Sequence, residues 1–309
     1  METSKILAIV VSYNFEQWMD KCLSSLVHAD YPCDILVIDN GSTDNTLSHL
    51  RERYPQVRLI ANHQNLGFGQ ANNIGLRIAR QEHYDGVLLI NQDAWLMPGT
   101  LGKLVETSRH NPDYAIVSPV HLNGKGNQIE HGFSEYVGTS QVNELPFGEI
   151  IPTTFINAAI WYVPIDTLNV VGMFSPLFFM YGEDKDYVNR VHYSRLKVGY
   201  LPTAFGCHDR DDRTVSPAYF FRTEQTYHLS EYANINYSFS KAFGYGVLAC
   251  LKKSALQLIH GRFNRSCQYL RIAFRLTKMT PQVISTRKMV KKVNQTPYKI
   301  KNLANFATE

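Results

Sequence analysis

The chain has 309 residues, of which 44% are hydrophobic and 19% charged, with a formal net charge of +4. These proportions describe an ordinary soluble protein with a substantial core, organised as one large domain with an appendage or as two domains. Five scattered cysteines without a Cys-x-x-Cys pair argue for a reducing compartment and against structural zinc, and no apolar run is long enough for a signal peptide or a membrane span.

Residues 5–12 are apolar at nearly every position, as a parallel strand buried on both faces requires. Phe15, Trp18, Met19, Cys22, Leu23 and Leu26 then follow the spacing of an amphipathic helix. Further buried strands are predicted at 35–38, 57–60, 87–90 and 115–117. Helices are predicted around Leu47 and Leu50, over 67–80 and over 98–111, where Pro98 suits a first turn. Strands alternating with helices predict an α/β fold with a mostly parallel central sheet. In such sheets ligands bind at the carboxyl ends of the strands, where Asn14, Asp39 and Asp93 fall.

Residues 121–154 are polar and glycine-containing and carry no readable pattern. An apolar run at 155–163 predicts another strand, and 165–171 a short helix. The stretch from Phe178 to Arg190 follows. Phe178 to Tyr181 are expected to bury, and Gly182 permits a sharp turn. Glu183, Asp184 and Asp186 then sit at the mouth of a helix marked by Tyr187, Val188, Val191 and Leu196. Helix capping and the helix dipole account for one or two of these acids. Three of them beside a large apolar anchor and a glycine make one a candidate catalytic base. Short strands at 197–201 and 203–206 deliver Cys207, His208 and Asp209.

Charge divides the chain near residue 240. Residues 240–309 hold 14 of the 31 Lys and Arg and one acid, Glu309, for a net +13, whereas residues 1–239 carry −9. Leu248, Leu251, Ala255, Leu258 and Ile259 follow helical spacing, with Lys252, Lys253 and Gln257 off that face. Basic amphipathic segments of this kind lie on anionic membranes. A helix packing its stripe on the body, with its charge solvated, fits the same pattern. Nucleic acid is not expected as a partner, because the body is acidic and no nucleic-acid motif is present. The expected organisation is a catalytic domain over 1–239, with a nucleotide-binding half at 1–120 and an acceptor half at 121–239, followed by a basic helical extension over 240–309.

The strand ends narrow the chemistry. A nicotinamide enzyme would show G-x-G-x-x-G after the first strand, where Ser12, Tyr13 and Asn14 stand instead, and no phosphate-binding G-x-x-x-x-G-K-[ST] loop exists. Asp39 is able to accept the N3–H of uracil or thymine, or to hold its own turn. Asp93 and His208 are candidate metal ligands, against the commoner uses as a turn acid and a hydrogen-bonded histidine. Trp95 and Trp161 are candidates for stacking on sugar rings, although tryptophan is more often core.

Taken together, Val10-Val11-Ser12-Tyr13-Asn14, Ile38 to Asp44 (IDNGSTD), Asn65 to Asn72 (NLGFGQAN), Asn91-Gln92-Asp93, Phe178 to Asp186 (FFMYGEDKD) and His208 form an ordered series over roughly residues 5–210. The series resembles the family 2 glycosyltransferases of the GT-A fold. It is most similar to the bacterial branch with rhamnosyl- and galactofuranosyl-transferases of surface polysaccharide assembly. The resemblance implies that Ser12, Asn14, Asp39 and Asn65 hold a pyrimidine nucleotide, with Val11, Gly67, Asn72 and Asn91 beside the nucleotide-sugar. It implies Asp93 and His208 as ligands to Mg²⁺ or Mn²⁺, Asp184 as general base with Glu183 beside it, and Trp161 and Asp186 as acceptor-side candidates. The implied activity is inverting transfer of one sugar from a UDP- or dTDP-sugar to a lipid-diphosphate-linked saccharide. The implied location is the cytoplasmic face of the cell membrane. Two departures stand out: Asn91 occupies the first position of the family's DxD pattern, and the Q-x-x-R-W motif of processive synthases is absent. A sugar-phosphate nucleotidyltransferase, and a non-catalytic sugar-nucleotide-binding or membrane assembly protein, are the alternative readings.

Overall fold

The structure is a computed structural model that describes residues 3–210 and 217–295. Strands β1 (Ile6–Ser12), β2 (Asp34–Asp39), β3 (Arg58–Ala61) and β4 (Gly86–Asn91) run parallel and alternate with helices α1 (Met19–Val27), α2 (Thr46–Arg53) and α3 (Phe68–Gln81). The chain continues through β5 (Ala94–Leu96), α4 (Thr100–His110), β6 (Tyr114–Leu122), α5 (His131–Val137) and β7 (Ile151–Thr153). It then forms β8 (Ile160–Pro164), α6 (Ile165–Val170), α7 (Glu183–Tyr193) and β9 (Lys197–His208). These strands make one sheet in the order β3-β2-β1-β4-β8-β6-β9-β5, with β7 paired to β9.

The parallel half forms because its strands are apolar on both sides. Leu7 and Ile9 of β1 enter one helix-covered layer, and Ile6, Ala8 and Val10 enter the other. The registers set Ser12 beside Asp39 and Val11 beside Asn91, so the carboxyl ends of β1, β2 and β4 are level. β8 runs antiparallel between β4 and β6, which brings the residues before it to that same edge. β5, antiparallel to β9, pairs Ala94 with His208 and so sets Asp93 next to the end of β9.

Several sequence expectations shift. The strand expected over 155–163 begins only at Ile160, because the chain before it turns into the cleft described below. The two short strands expected at 197–201 and 203–206 are one strand, β9, with a register shift against Pro119 and Val120 of β6. In the unreadable 121–154 stretch, α5 is capped by Glu130, whose carboxylate accepts from the Phe133 amide at 2.8 Å. Of the expected apolar anchor only Phe178 buries; Phe179 and Met180 are 59% and 39% exposed.

Helices α8 (Pro217–Ala233), α9 (Phe239–Phe243), α10 (Ala249–Ile259), α11 (Phe263–Lys278) and α12 (Thr280–Gln295), with a π-helical turn at Gly244–Leu248, complete the described chain. They enclose a third core in which Phe178 meets Leu229 and Tyr232 of α8 and Val247, Ile272, Leu276 and Val283 beyond. Packing therefore runs across residue 240. The apolar stripe over 248–259 does not pack on the body: Leu248, Leu251, Leu258 and Ile259 are exposed. No described helix is long and apolar enough to cross a membrane. Residues 296–309 of the basic segment lie outside the described residues.

Candidate active site

The level strand ends open onto a cleft of about 290 Å³. Val11, Ser12 and Tyr13 supply one wall from the end of β1, and Asn91, Gln92 and Asp93 the floor from the end of β4. Residues 157–159 before β8, Glu183 and Asp184 at the start of α7, and His208 and Arg210 at the end of β9 close the other side.

Gly182 places the acids. It adopts φ +85° immediately before α7, and a Cβ there would come within 2.6 Å of Thr226. The helix thus starts abruptly, with Glu183 buried and Asp184 half-buried in the cleft. Burial, and then the neighbouring Asp184 charge, pushes Glu183 up to about 7. Burial also raises Asp184, while the Lys185 and Ala158 amides pull it back. The Lys185 amide donates to its carboxylate at 2.7 Å. Two adjacent carboxyls in one poorly solvated site favour a single negative charge between them. Asp184 is the less buried of the two, and both line the cleft.

Asp93 and His208 converge as their strands dictate, with Asp93 Oδ1 3.5 Å from His208 Nε2. Both are buried, and neither nitrogen of His208 has a hydrogen-bond partner among the described residues. The Asn91 side-chain oxygen is likewise buried without one. A carboxylate, an imidazole and an amide oxygen are hard donors that suit Mg²⁺ or Mn²⁺. The three fit such an ion, although no cluster of three His, Cys, Asp or Glu occurs among the described residues. Behind them His121, fully buried, contacts the Ser118 hydroxyl at 3.0 Å, and its ring lies 6.0 Å from that of His208. Burial and then His208 hold His121 well below its ordinary pKa.

Other expected site residues brace the cleft. Asp39 is fully buried and accepts from Ser12 Oγ at 3.1 Å, from the Gly41 and Ser42 amides, and from the Ser42 hydroxyl. Its carboxylate is held by Ser12 and by its own turn, and Asp39 is not among the residues that line the cleft. Asn14 holds the same loop by accepting from the Thr43 amide at 2.9 Å. Asn65 lines the cleft, where its oxygen accepts from Asn40 Nδ2 and the Gly67 amide.

Four expected site residues do not line the cleft. Asn72 is buried in α3 and donates to the Phe68 carbonyl at 3.0 Å. Gly67, at φ +77°, is required because a Cβ there would collide with the Phe179 backbone. Asp186 is buried in an ion pair with Arg190 at 2.9 Å, which takes it out of reach of an acceptor. Trp161 is fully buried in the core, stacked at 6.4 Å on Phe174, so no sugar reaches it.

The structure adds residues to which the sequence reading gives no role of their own. Asn40 lines the cleft and donates to Asn65 at 3.1 Å. Gln92 ties the ends of β4 and β1 by accepting from the Tyr13 amide at 2.7 Å and donating to its carbonyl at 3.1 Å. Met180, Tyr181, Asn157 and Arg210 also line the cleft.

The ends of β1 and β4, two carboxyls at a helix mouth and a carboxylate–histidine pair thus line one cleft. The Glycosyl transferase family 2 model matches residues 7–162, half of the chain. The chain belongs to that family. An N-acetylglucosaminyl-diphospho-decaprenol L-rhamnosyltransferase of Mycobacterium tuberculosis is 25% identical over 240 residues, 69% of this chain and 78% of that protein. An uncharacterized glycosyltransferase of Haemophilus influenzae is 42% identical over 81 residues, so the match spans only a quarter of either chain. Among solved structures, S. aureus TarS 1–349 in complex with UDP superposes with a TM-score of 0.52 at 15% identity, covering 94% of this chain and 89% of that one. The Pyrobaculum calidifontis mannosyltransferase PcManGT, in complex with GDP-Man and Mn²⁺, gives 0.52 at 16% identity, covering 100% and 80%. These likenesses show the GT-A fold.

Proposed function

We propose that this family 2 member moves a single sugar, with inversion, from a UDP- or dTDP-sugar to a saccharide acceptor carried on a lipid diphosphate. The observation that carries the reading is the meeting of Asp184 with Asp93, His208 and Asn91 in one cleft at the carboxyl ends of β1 and β4. Names of relatives agree with the acceptor class, since the mycobacterial rhamnosyltransferase is named for a diphospho-decaprenol acceptor. The polymer-directed enzymes among the relatives include poly(ribitol-phosphate) β-N-acetylglucosaminyltransferase TarS of Staphylococcus aureus.

The chain's own residues divide the work. The backbone at Val11, Ser12 and Tyr13, with Asn40 and Asn65, flanks the nucleotide. Arg210 and the floor residues lie where the diphosphate leaves. Asp93 and His208, with Asn91, would hold Mg²⁺ or Mn²⁺, which when bound stabilises the charge developing on that diphosphate. Asp184 takes the proton from the acceptor hydroxyl as its oxygen attacks the anomeric carbon. The bond to the leaving phosphate oxygen breaks on the opposite side, the nucleoside diphosphate departs with both bonding electrons, and the configuration inverts. Residues 240–309 would keep the protein at the anionic inner face of the cell membrane, where a lipid-linked acceptor lies.

A thermal-shift screen of UDP, dTDP and GDP and their sugars, each with Mg²⁺ or Mn²⁺, tests the donor. A uridine or thymidine nucleotide should raise the melting temperature in proportion to occupancy. A rise with guanosine nucleotides alone would overturn the pyrimidine assignment.

A further inference from the structure

Helices α10 and α11, joined by residues 260–262, form a hairpin whose seam is marked by Ser254 donating to the Ser266 carbonyl at 3.0 Å. One side faces α8, where Lys253 reaches Glu224 at 2.6 Å and Tyr269 meets Phe221 edge-on at 5.6 Å. At 100° per residue, the side of α10 away from Lys253 carries Leu251, Leu258 and Ile259. The side of α11 away from Tyr269 carries Phe263, Leu270 and Phe274. These six side chains are between 42% and 79% exposed. A contiguous exposed apolar face of this kind marks an interaction site.

Charge decides what covers it. Lys252, Arg262, Arg265, Arg271 and Lys278 are exposed around this face. Residues 240–295 hold twelve Lys and Arg and no Asp or Glu. Two copies of this chain would bring like charges together there, which opposes self-pairing. An acid-free apolar stripe with a basic rim matches an anionic lipid surface, in which it lies parallel to the plane.

We propose that the outer face of the α10–α11 hairpin docks flat in the headgroup region of an anionic phospholipid bilayer; this rests on the membrane-side placement proposed above and names its surface. The hairpin's inner side meanwhile packs α8 and, through Phe178, the helix bearing Asp184. Docking therefore fixes the catalytic cleft relative to the bilayer without any residue crossing it.

The test is co-sedimentation of the full chain with phosphatidylcholine vesicles and with vesicles containing phosphatidylglycerol, at low and high salt. Binding is expected only with phosphatidylglycerol, weakening as salt rises and leaving an apolar remainder. Arg265→Ala with Arg271→Ala should weaken low-salt partitioning roughly 25-fold, at about fivefold per basic side chain. Leu258→Ser with Phe263→Ser and Phe274→Ser should remove the salt-resistant remainder. All five substituted side chains are exposed, so melting temperatures and transfer to a short soluble acceptor should stay as in the parent, which separates this proposal from the reaction itself. Parent-like partitioning of both variants would overturn the hairpin assignment while leaving a membrane role to other residues. Failure of the parent chain to bind anionic vesicles would overturn both. A dimer in sedimentation velocity that the Phe274 variant dissociates would show the face to be a self-interface instead.

Discussion

Asp184 and Glu183 share a site too poorly solvated for two charges, and that fixes separable expectations for each. Glu183→Gln removes the carboxyl that burial pushes up to about 7. A carboxyl raised in the folded state contributes stability that is fully present below its unfolded pKa and is lost as pH rises through its folded value. For Glu183 the window runs from 4.5 to about 7. The wild type should therefore lose on the order of 1–3 kcal/mol across it. Glu183→Gln should show a flatter melting-temperature profile between pH 5 and 8; an equally steep profile would mean that Glu183 is not the titrating group. Gln is neutral, as protonated Glu183 is, so below about pH 7 the acidic limb of kcat/KM should keep its position; a shift to lower pH would mean that Glu183 carries charge there. His208→Ala leaves Asp93 and Asn91 as the donors from these strands. The Mn²⁺ concentration for half-maximal activity should rise at least about tenfold. Unchanged activity in excess chelator would remove the metal role of both His208 and Asp93.

At the scale of elements, α7 is held from behind by the C-terminal helices. Phe178 is buried among Leu229, Tyr232, Ile272 and Leu276, and Lys185 of α7 pairs with Glu231 of α8 at 2.9 Å. Phe178→Ala should cost about 3–5 kcal/mol and lower turnover together with stability, because the cavity lies at the root of the catalytic turn. A chain ending near residue 240 would expose Phe178, Leu229 and Tyr232 at once. It is expected to be insoluble or to melt far below the parent; a soluble, fully active truncation would show that the third core does not support α7. The charge pattern of the sequence marked residue 240 as a boundary because basic residues begin there, but charge reports surface, and the apolar side of α8 belongs with the helices that follow. The anchor stretch was half legible for a related reason. Four apolar residues in a row predict burial, yet the turn at Tyr181 and Gly182 lets only Phe178 point inward while Met180 and Tyr181 rim the cleft.

For the whole molecule, the parallel half was legible because strands covered on both faces leave unbroken apolar runs, and β1, β2 and β4 emerge within a residue or two of expectation. β5 was not, since three residues establish no period, although it is the strand that sets Asp93 beside His208. The ordered motifs brought Ser12, Asn65, Asn91, Asp93, Asp184 and His208 to one cleft. Asn72, Gly67 and Asp186 of the same motifs do not line it, because a motif records where a loop must turn or pack as faithfully as where a ligand is touched. Asn40, Gln92 and Arg210 are single polar residues whose role exists only through tertiary placement. The central claim is that this cleft transfers sugar with Asp184 as the base. The most direct measurement pairs donor binding by calorimetry with transfer from UDP- and dTDP-sugars to a saccharide-diphosphate-lipid analogue, in the parent and in Asp184→Asn. The parent should yield product of inverted anomeric configuration. Asp184→Asn should bind donor within about twofold of the parent and turn over roughly 10²–10⁴ times more slowly. Near-parent turnover in Asp184→Asn, or product of retained configuration, would contradict it.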